Sequence, residues 1–516
     1  MENGKMFGSM SSNVINNELF PEMMYNSVRH AKIMCTINPD FTVSEIENMI
    51  LAGMDIARID FSLHDQSIYK KIIDNVREAS KNVSAKSKFL VHVSIAVDTK
   101  GPEIQTGALE NGHVFLESGA VITLTTDEKF KMKGNAKFLY IDYEDLTNVV
   151  DPGVRLYINN CSIMLVVDRV DEPNLICTIV DGGWLGSYKD VKGQGIFRKK
   201  LDFTPKDISD LEFAISQKVD CIMNSYTMSA ESIVRIKQML FDYKMTGEIL
   251  VFAKVENKFG AKRLKEILQV ADGIVLSRMD LSVEFARESV FYHHKSLLDV
   301  CNQLGKPFVS FDPILPSMTV SPVPEFTDLS DLGHLIMLGV DCLMLSNENC
   351  QYLLESIKYT DKMCLEADAC LSISNDSVSL FRSSVEGNSA VAYMAVQSSI
   401  QCKASAIVTL PVPVIGKVVK LMSKLRPQCS VIAVCSSAKP ISDMRFYRSL
   451  NPVLFEEPVG NNWEDYLERC LNFALQYGMN LGMIETGDLV VVVSSWKPNT
   501  GLLNTIKVEQ CNLEDN

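Results

Sequence analysis

Eight short, β-branched runs, most of them followed by an amphipathic helical stretch, constrain this chain more than any other feature. The runs are Lys32–Ile37, Ile56–Ser62, Val93–Thr99, Cys221–Tyr226, Ile249–Asn257, Gly273–Asp280, Pro307–Asp312 and Cys342–Ser346. Helical periodicity is found at Val43–Leu51, Ser67–Ser80, Ile208–Ser216, Ala230–Asp242 and Ala261–Gln269. Strands alternating with helices require a parallel sheet, and eight is the number that closes a (β/α)8 TIM barrel. The runs end in Ser62, Asp98–Thr99, Lys254–Glu256, Asp280, Asp312 and Ser346. A barrel builds its site from several strands at their carboxyl ends, although any single polar strand end also serves as a turn former.

The rhythm breaks between Pro102 and about Lys200. Short alternating runs (Val114–Leu116, Val121–Thr125, Leu156–Ile158, Ile163–Val167, Leu175–Ile179) are separated by Gly, Asn and Asp, as in a small β-barrel lid domain inserted after the third strand. Gly101–Pro102 and Leu201–Pro205 are its expected hinges. A second α/β pattern follows Asn375, with strands expected at Ala404–Leu410, Ser430–Ser436, Leu489–Ser495 and Thr505–Glu509. Helices are expected there at Gly387–Gln401, Ile415–Leu425, Met444–Ser449 and Trp463–Gln476. The chain thus divides into an N-terminal segment (1–27, with a short helix near Asn13–Asn26), a first barrel segment (28–101), the lid (102–203), a second barrel segment (204–375) and a C-terminal α/β domain (376–516).

A net charge of −14 argues against nucleic acid or an anionic membrane as partner, and no apolar run approaches membrane-spanning length. The start of the chain has no secretory leader pattern. The 14 cysteines form no Cys-x-x-Cys and no zinc spacing, which fits a reducing, cytoplasmic compartment with cysteines as small core residues. The adjacent His293 and His294 are read as helix-surface residues.

The chemistry concentrates on Glu256, Asp280 and Lys254. Mg2+ is commonly held by one or two carboxylates plus substrate oxygens, and a lysine beside it can offset charge on a transferring phosphoryl group. The plainer alternative is that these are ordinary surface charges.

The segment Asp98-Thr99-Lys100-Gly101-Pro102-Glu103-Ile104 matches a pyruvate kinase signature, and Lys254-Val255-Glu256-Asn257, Ala57–Ser62 and Gly487–Val508 are similar to further segments of that family. The resemblance runs in one order from about Arg29 to Gln510. It implies phosphoryl transfer from phosphoenolpyruvate to ADP, giving pyruvate and ATP, on a homotetramer with Mg2+ (or Mn2+) and K+. It assigns the Mg2+ ligands to Glu256 and Asp280, phosphoryl neutralisation to Lys254 and phosphate holding to Arg58. It assigns K+ to Asp60, Ser62, Asp98 and the Thr99 carbonyl, and a nucleotide-facing lysine to Lys189.

Departures cluster on the pyruvate side. The family's Ala-Thr-Gln-Met reads Phe311-Asp312-Pro313-Ile314, so Asp312 replaces a threonine that takes part in protonating the enolate. An ionised Asp312 about 4 Å from an anionic substrate would repel it by roughly 4 kcal/mol at an effective dielectric near 20, unless the site protonates it. Met279 replaces a glycine in the substrate-carboxylate loop, Gln105 a nucleotide-facing arginine, Asp60 an asparagine, and Asn159-Asn160-Cys161 the lid's Asp-Asp-Gly turn. The effector loop reads Leu410–Gly416 without a hydroxyl and Cys470 stands where an arginine is expected, so activation by a sugar bisphosphate is not expected. Three readings remain: an active but slowed pyruvate kinase, a pseudoenzyme that keeps metal or ligand binding and assembles with an active paralogue, and another keto-acid chemistry on the same metal. Retention of the carboxylate pair favours catalysis or at least ligand binding, whereas Asp312, Met279 and Gln105 favour the pseudoenzyme; the balance falls narrowly to the enzyme.

Overall fold

The computed structural model describes residues 28–62, 64–87, 89–159, 161–193, 203–345, 351–373, 387–411, 416–460, 462–498 and 503–512. The expected helix near Asn13–Asn26, as well as Asn160, Leu201–Asp202, Ser346 and Val412–Ile415, lie outside them.

Eight parallel strands close into a barrel: Lys32–Thr36, Ile56–Asp60, Ser94–Asp98, Cys221–Asn224, Leu250–Val255, Gly273–Leu276, Phe308–Ser310 and Cys342–Leu345. Each pairs with its neighbours in sequence order, and the first pairs with the last through Lys32↔Cys342. The period of two along each strand sorts the core into two layers. Ile33, Cys35, Ala57, Ile59, Ile95, Val97, Val251 and Ala253 pack outward against the helices. Met34, Ile56, Ala96, Phe252, Val275 and Val309 fill the lumen, which Phe446 of the C-terminal domain closes from below by an edge contact with Phe252. The same alternation carried two to four residues further points Arg58 and Asp60, Asp98, Lys254 and Glu256, and Phe311 into the upper lumen. That parity is why polar residues end these strands.

The insertion after Ser94–Asp98 holds a six-stranded sheet and a two-stranded ribbon. Its core is Ile122, Leu124, Leu156, Ile158, Ile163, Leu165, Leu175, Cys177 and Ile179. At the chain's entry to it, Gly101 has φ +63° and a Cβ there would stand 3.0 Å from the Ser225 Cβ, so the hinge needs glycine. The C-terminal sheet runs Leu450–Leu454, Ser430–Cys435, Ala406–Thr409, Leu489–Ser494, Thr505–Gln510, parallel except for the last pair.

Four expectations are corrected. Asp280 is not at a strand end: the strand stops at Leu276 and Asp280 lies in the helix Arg278–Glu284, capped by the Ser277 hydroxyl. The Ala261–Gln269 stretch is two helices, Lys258–Lys262 and Leu264–Val270, broken at Arg263. The helix expected at Met444–Ser449 ends at Met444, having begun at Ala438, and is followed by the unanticipated strand Leu450–Leu454, whose backbone is committed to Ser430–Cys435. His294 is buried, edge-on to Phe308, and not on the surface. Burial pulls its pKa down to about 4, keeping the imidazole neutral.

Candidate active site

At the carboxyl ends of the strands, under the lid, lies a cavity of about 320 Å³ lined by Arg58, Asp60, Asp98, Lys254, Glu256, Asp280 and Asp312, with Lys189, Asp190 and Lys192 from the lid. Its lining has five cationic and seven carboxylate side chains. A net negative cavity does not accept polyanionic substrates without added cations.

Lys254 lies between two carboxylates, 3.2 Å from Asp98 Oδ2 and 3.3 Å from Glu256 Oε1. Burial alone would lower its pKa, but Asp98 and Glu256 outweigh that and hold the ammonium above its ordinary value. Glu256 Oε2 accepts the Tyr226 N–H at 2.7 Å. Burial raises Glu256 above the usual carboxylate range, Lys254 opposing it and Asp280 adding to it. Buried like charges of this kind are relieved by a shared cation. Among the described residues no three His, Cys, Asp or Glu side chains converge on one metal position. Glu256 and Asp280 are nonetheless hard-oxygen donors, 7% and 5% exposed in one cavity, and fit a divalent ion that takes its other ligands from substrate and water.

Arg58 is already engaged. It donates from Nε and Nη2 to Asp98 Oδ2 (3.1 and 2.7 Å), from Nη2 to Asp60 Oδ2 (2.7 Å) and from Nη1 to Thr36 Oγ1 (2.9 Å). Burial would raise Asp60, but Arg58 and the Ser62 N–H hold it low. Replacing the neutral amide expected at position 60 by a carboxylate thus gives Arg58 a second anionic partner beside Asp98. The Ser225 hydroxyl, which nothing in the sequence singled out, lies 3.0 Å from Asp98 Oδ1 and 2.6 Å from the Thr99 carbonyl and gives its one proton to either, among the residues that the resemblance assigns to K+.

Three further groups escaped sequence reasoning. The Phe311 ring lies over two cations of the cavity, 4.5 Å from Lys254 Nζ and 5.3 Å from the Arg58 guanidinium. Arg278 holds Asp312 by its backbone N–H (2.7 Å) and Nε (2.9 Å) while gripping Asp331 with both terminal nitrogens at 2.6 Å. Burial raises the Asp312 pKa and Arg278 opposes the rise, so the repulsion expected from this carboxylate is offset by an adjacent guanidinium. Lys192 from the lid strand Val191–Gly193 contacts Asp280 Oδ1 and lies 3.2 Å from Asp190 Oδ2. Of the remaining expected residues, Met279 and Lys189 line the cavity, and Gln105 is hydrogen-bonded to Glu103 at 3.0 Å. Arg469 pairs with Glu457 and Cys470 is buried.

Burial, reinforced by Asp190 and Glu256, raises Glu103 to about 7. An acid held above its unfolded value of 4.5 contributes stability that is full below that pH and is lost as the pH rises towards about 7. Glu103→Gln is therefore expected to gain on wild type over that window, on the order of 3 kcal/mol. Urea midpoints at about pH 5 and pH 8 check this; parallel pH dependence in the two proteins would refute it.

The model of the pyruvate kinase barrel domain matches residues 28–357, and that of the pyruvate kinase alpha/beta domain matches residues 389–509. The chain belongs to the pyruvate kinase family. It is 34% identical over 492 residues to human pyruvate kinase PKLR, covering 93% of this chain and 85% of the relative. It is 31% identical over 488 residues to the pyruvate kinase of Leishmania mexicana, covering 93% and 95%. Baker's yeast (Saccharomyces cerevisiae) pyruvate kinase 2 is 30% identical over 492 residues, covering 93% and 95%. Barrel, lid and C-terminal domain are thus the pyruvate kinase architecture, and the cavity lies at the barrel face where such folds carry their chemistry.

Proposed function

We propose that this chain transfers a phosphoryl group from phosphoenolpyruvate to ADP, giving pyruvate and ATP, more slowly than a fully equipped pyruvate kinase. The observation that carries this is the convergence of Lys254, Arg58, Glu256 and Asp280 in one lidded cavity. Glu256 and Asp280 would hold Mg2+ or Mn2+; Asp60, Ser62, Asp98 and the Thr99 carbonyl would hold K+. When bound, these ions supply the positive charge that the net negative lining lacks. Lys254 Nζ, buried and fixed by two carboxylates, is placed to meet the oxygens of the moving phosphoryl group; Arg58 would hold the phosphate and Lys189 face the nucleotide. With both substrates bound, closure of the lid would exclude water, which otherwise competes as acceptor.

A catalytically impaired chain that keeps ligand binding is the second reading. It is favoured by Phe311 over two cations of the cavity and by Arg58 bound to Asp60 and Asp98. Assembly as a homotetramer, or as a heterotetramer with an active paralogue, belongs to both readings. Its support is that helices Arg287–Gln303 and Phe326–Leu338 meet at Phe291 and His334 and leave Phe291, Tyr292 and Phe326 exposed. A cytoplasmic location belongs to them as well; no helix among the described residues is long and apolar enough to cross a membrane.

A coupled pyruvate assay with phosphoenolpyruvate, ADP, Mg2+ and K+ tests the first reading. Slow but saturable pyruvate formation is expected, falling at least about a hundredfold in Glu256→Gln, with Mn2+ binding weakened in parallel. No pyruvate above background would leave the impaired chain as the function. Unchanged Mn2+ binding in Glu256→Gln would remove the metal assignment.

A further inference from the structure

The metal-side carboxylate of this cavity already has a cation on it. Lys192 Nζ contacts Asp280 Oδ1 across 88 positions of sequence, and its side chain is only 10% exposed. The lysine stands on a lid strand paired with Arg155–Ile158 through Lys192↔Tyr157, and Asp190, two residues earlier, holds the same ammonium at 3.2 Å. A lysine ammonium is a compact point charge on a flexible stem, so it can neutralise a carboxylate as a small cation does and can also swing away. Glu256, the other proposed ligand, lies next to Lys254. Both carboxylates expected to share a divalent ion are therefore balanced by ammonium groups, one from the barrel and one from the lid.

We propose that Lys192 is a resident cation of this site: it takes the face of Asp280 that a divalent ion would use, so metal entry requires its withdrawal, and metal-free protein keeps the lid pinned to the barrel. This rests on the assignment of Glu256 and Asp280 as the metal pair, but not on turnover. A bare carboxylate pair offers its full charge to an incoming ion; here each binding event must also displace a buried ion pair. Divalent affinity falls by the strength of that contact, and lid opening becomes coupled to the ion.

The test uses Mn2+ alone, without phosphoenolpyruvate or ADP, titrated into the full-length protein and followed by electron paramagnetic resonance. Lys192→Met is expected to bind Mn2+ at least about tenfold more tightly than wild type, while Lys192→Arg stays near wild type because it keeps the charge. Asp280→Asn should abolish the tight binding in the Lys192→Met background, which locates the ion. Hydrogen exchange on the same samples should show wild-type lid amides in 155–159 and 161–193 exchanging faster once Mn2+ is added, and those of Lys192→Met exchanging fast without it. Equal Mn2+ affinity in wild type and Lys192→Met, whether tight or absent, overturns the proposal, as does weaker binding in Lys192→Met. Lost pyruvate formation with the expected Mn2+ pattern would instead fail only the phosphoryl-transfer reading. Thermal unfolding of each variant confirms that the compared proteins are folded.

Discussion

Lys254→Met is expected to lower phosphoryl transfer about a thousandfold while leaving the chain folded. Removing one preorganised donor from a buried site costs about 10²–10³ in rate, and a cation on a transferring phosphoryl group is worth about 10³–10⁵. Lys254 is buried, 7% exposed, and fixed by Asp98 and Glu256, so its charge needs no reorganisation during reaction. The fold should survive at reduced stability: Asp98 keeps Arg58 and Ser225, whereas Glu256 loses its counter-charge and keeps the Tyr226 N–H. Turnover should fall far more than apparent substrate affinity if the ammonium acts chiefly on charge developed in the transition state. Steady-state kinetics beside a circular dichroism melt decide it. A loss smaller than about tenfold in a folded variant would mean that Lys254 serves the structure of the lumen and not the reaction.

The largest stability effect should come from the seam between barrel and C-terminal domain. Lys424 contacts Asp341, and the pair is 1% and 0% exposed. Asp341 also accepts the Phe308 N–H at 2.9 Å and the Arg448 N–H at 3.3 Å, tying two barrel strands to the other domain. Lys424→Met leaves that carboxylate buried without its counter-charge, a loss of about 3–5 kcal/mol. The thermal midpoint should drop on the order of 10 °C. Asp341→Asn added to Lys424→Met should recover part of this, because the stranded charge disappears while an acceptor oxygen remains. A drop below about 1 kcal/mol, or a double variant weaker than the sum of the singles, would show that the seam is held by Phe252–Phe446 packing and the neighbouring Arg448–Asp368 pair.

The barrel and the families of side chains inside it were legible from local patterning. Period-two alternation marks Ile56, Arg58 and Asp60 as one face and Phe252, Lys254 and Glu256 as another, and parallel closure turns both faces inward. The strands Val121–Thr125 and Cys342–Leu345 and the helices Val43–Leu51 and Ala230–Asp242 lie where their periodicity put them. Where local signals competed, they misled. Asp280 reads as the end of a β-branched run, yet Ser277 caps a helix there; Met444–Ser449 has helical spacing, yet the neighbouring strand takes the backbone just beyond it.

Sequence alone therefore determined the frame of this protein: a (β/α)8 barrel, an inserted β lid, a C-terminal α/β domain, and the acidic and basic residues that the frame points into one lumen. Only the tertiary structure decided how those charges are paired. Lys192 reaches Asp280 over 88 residues, Arg278 reaches Asp331 over 53, Arg58 divides itself between Asp60 and Asp98, and Phe311 covers two cations. Local periodicity reports which face a side chain occupies, because that follows from the pitch of its own element. It carries no record of which opposite charge lies nearest in space, since that depends on closing the barrel and setting the lid, and Coulomb energies change steeply over those few ångströms.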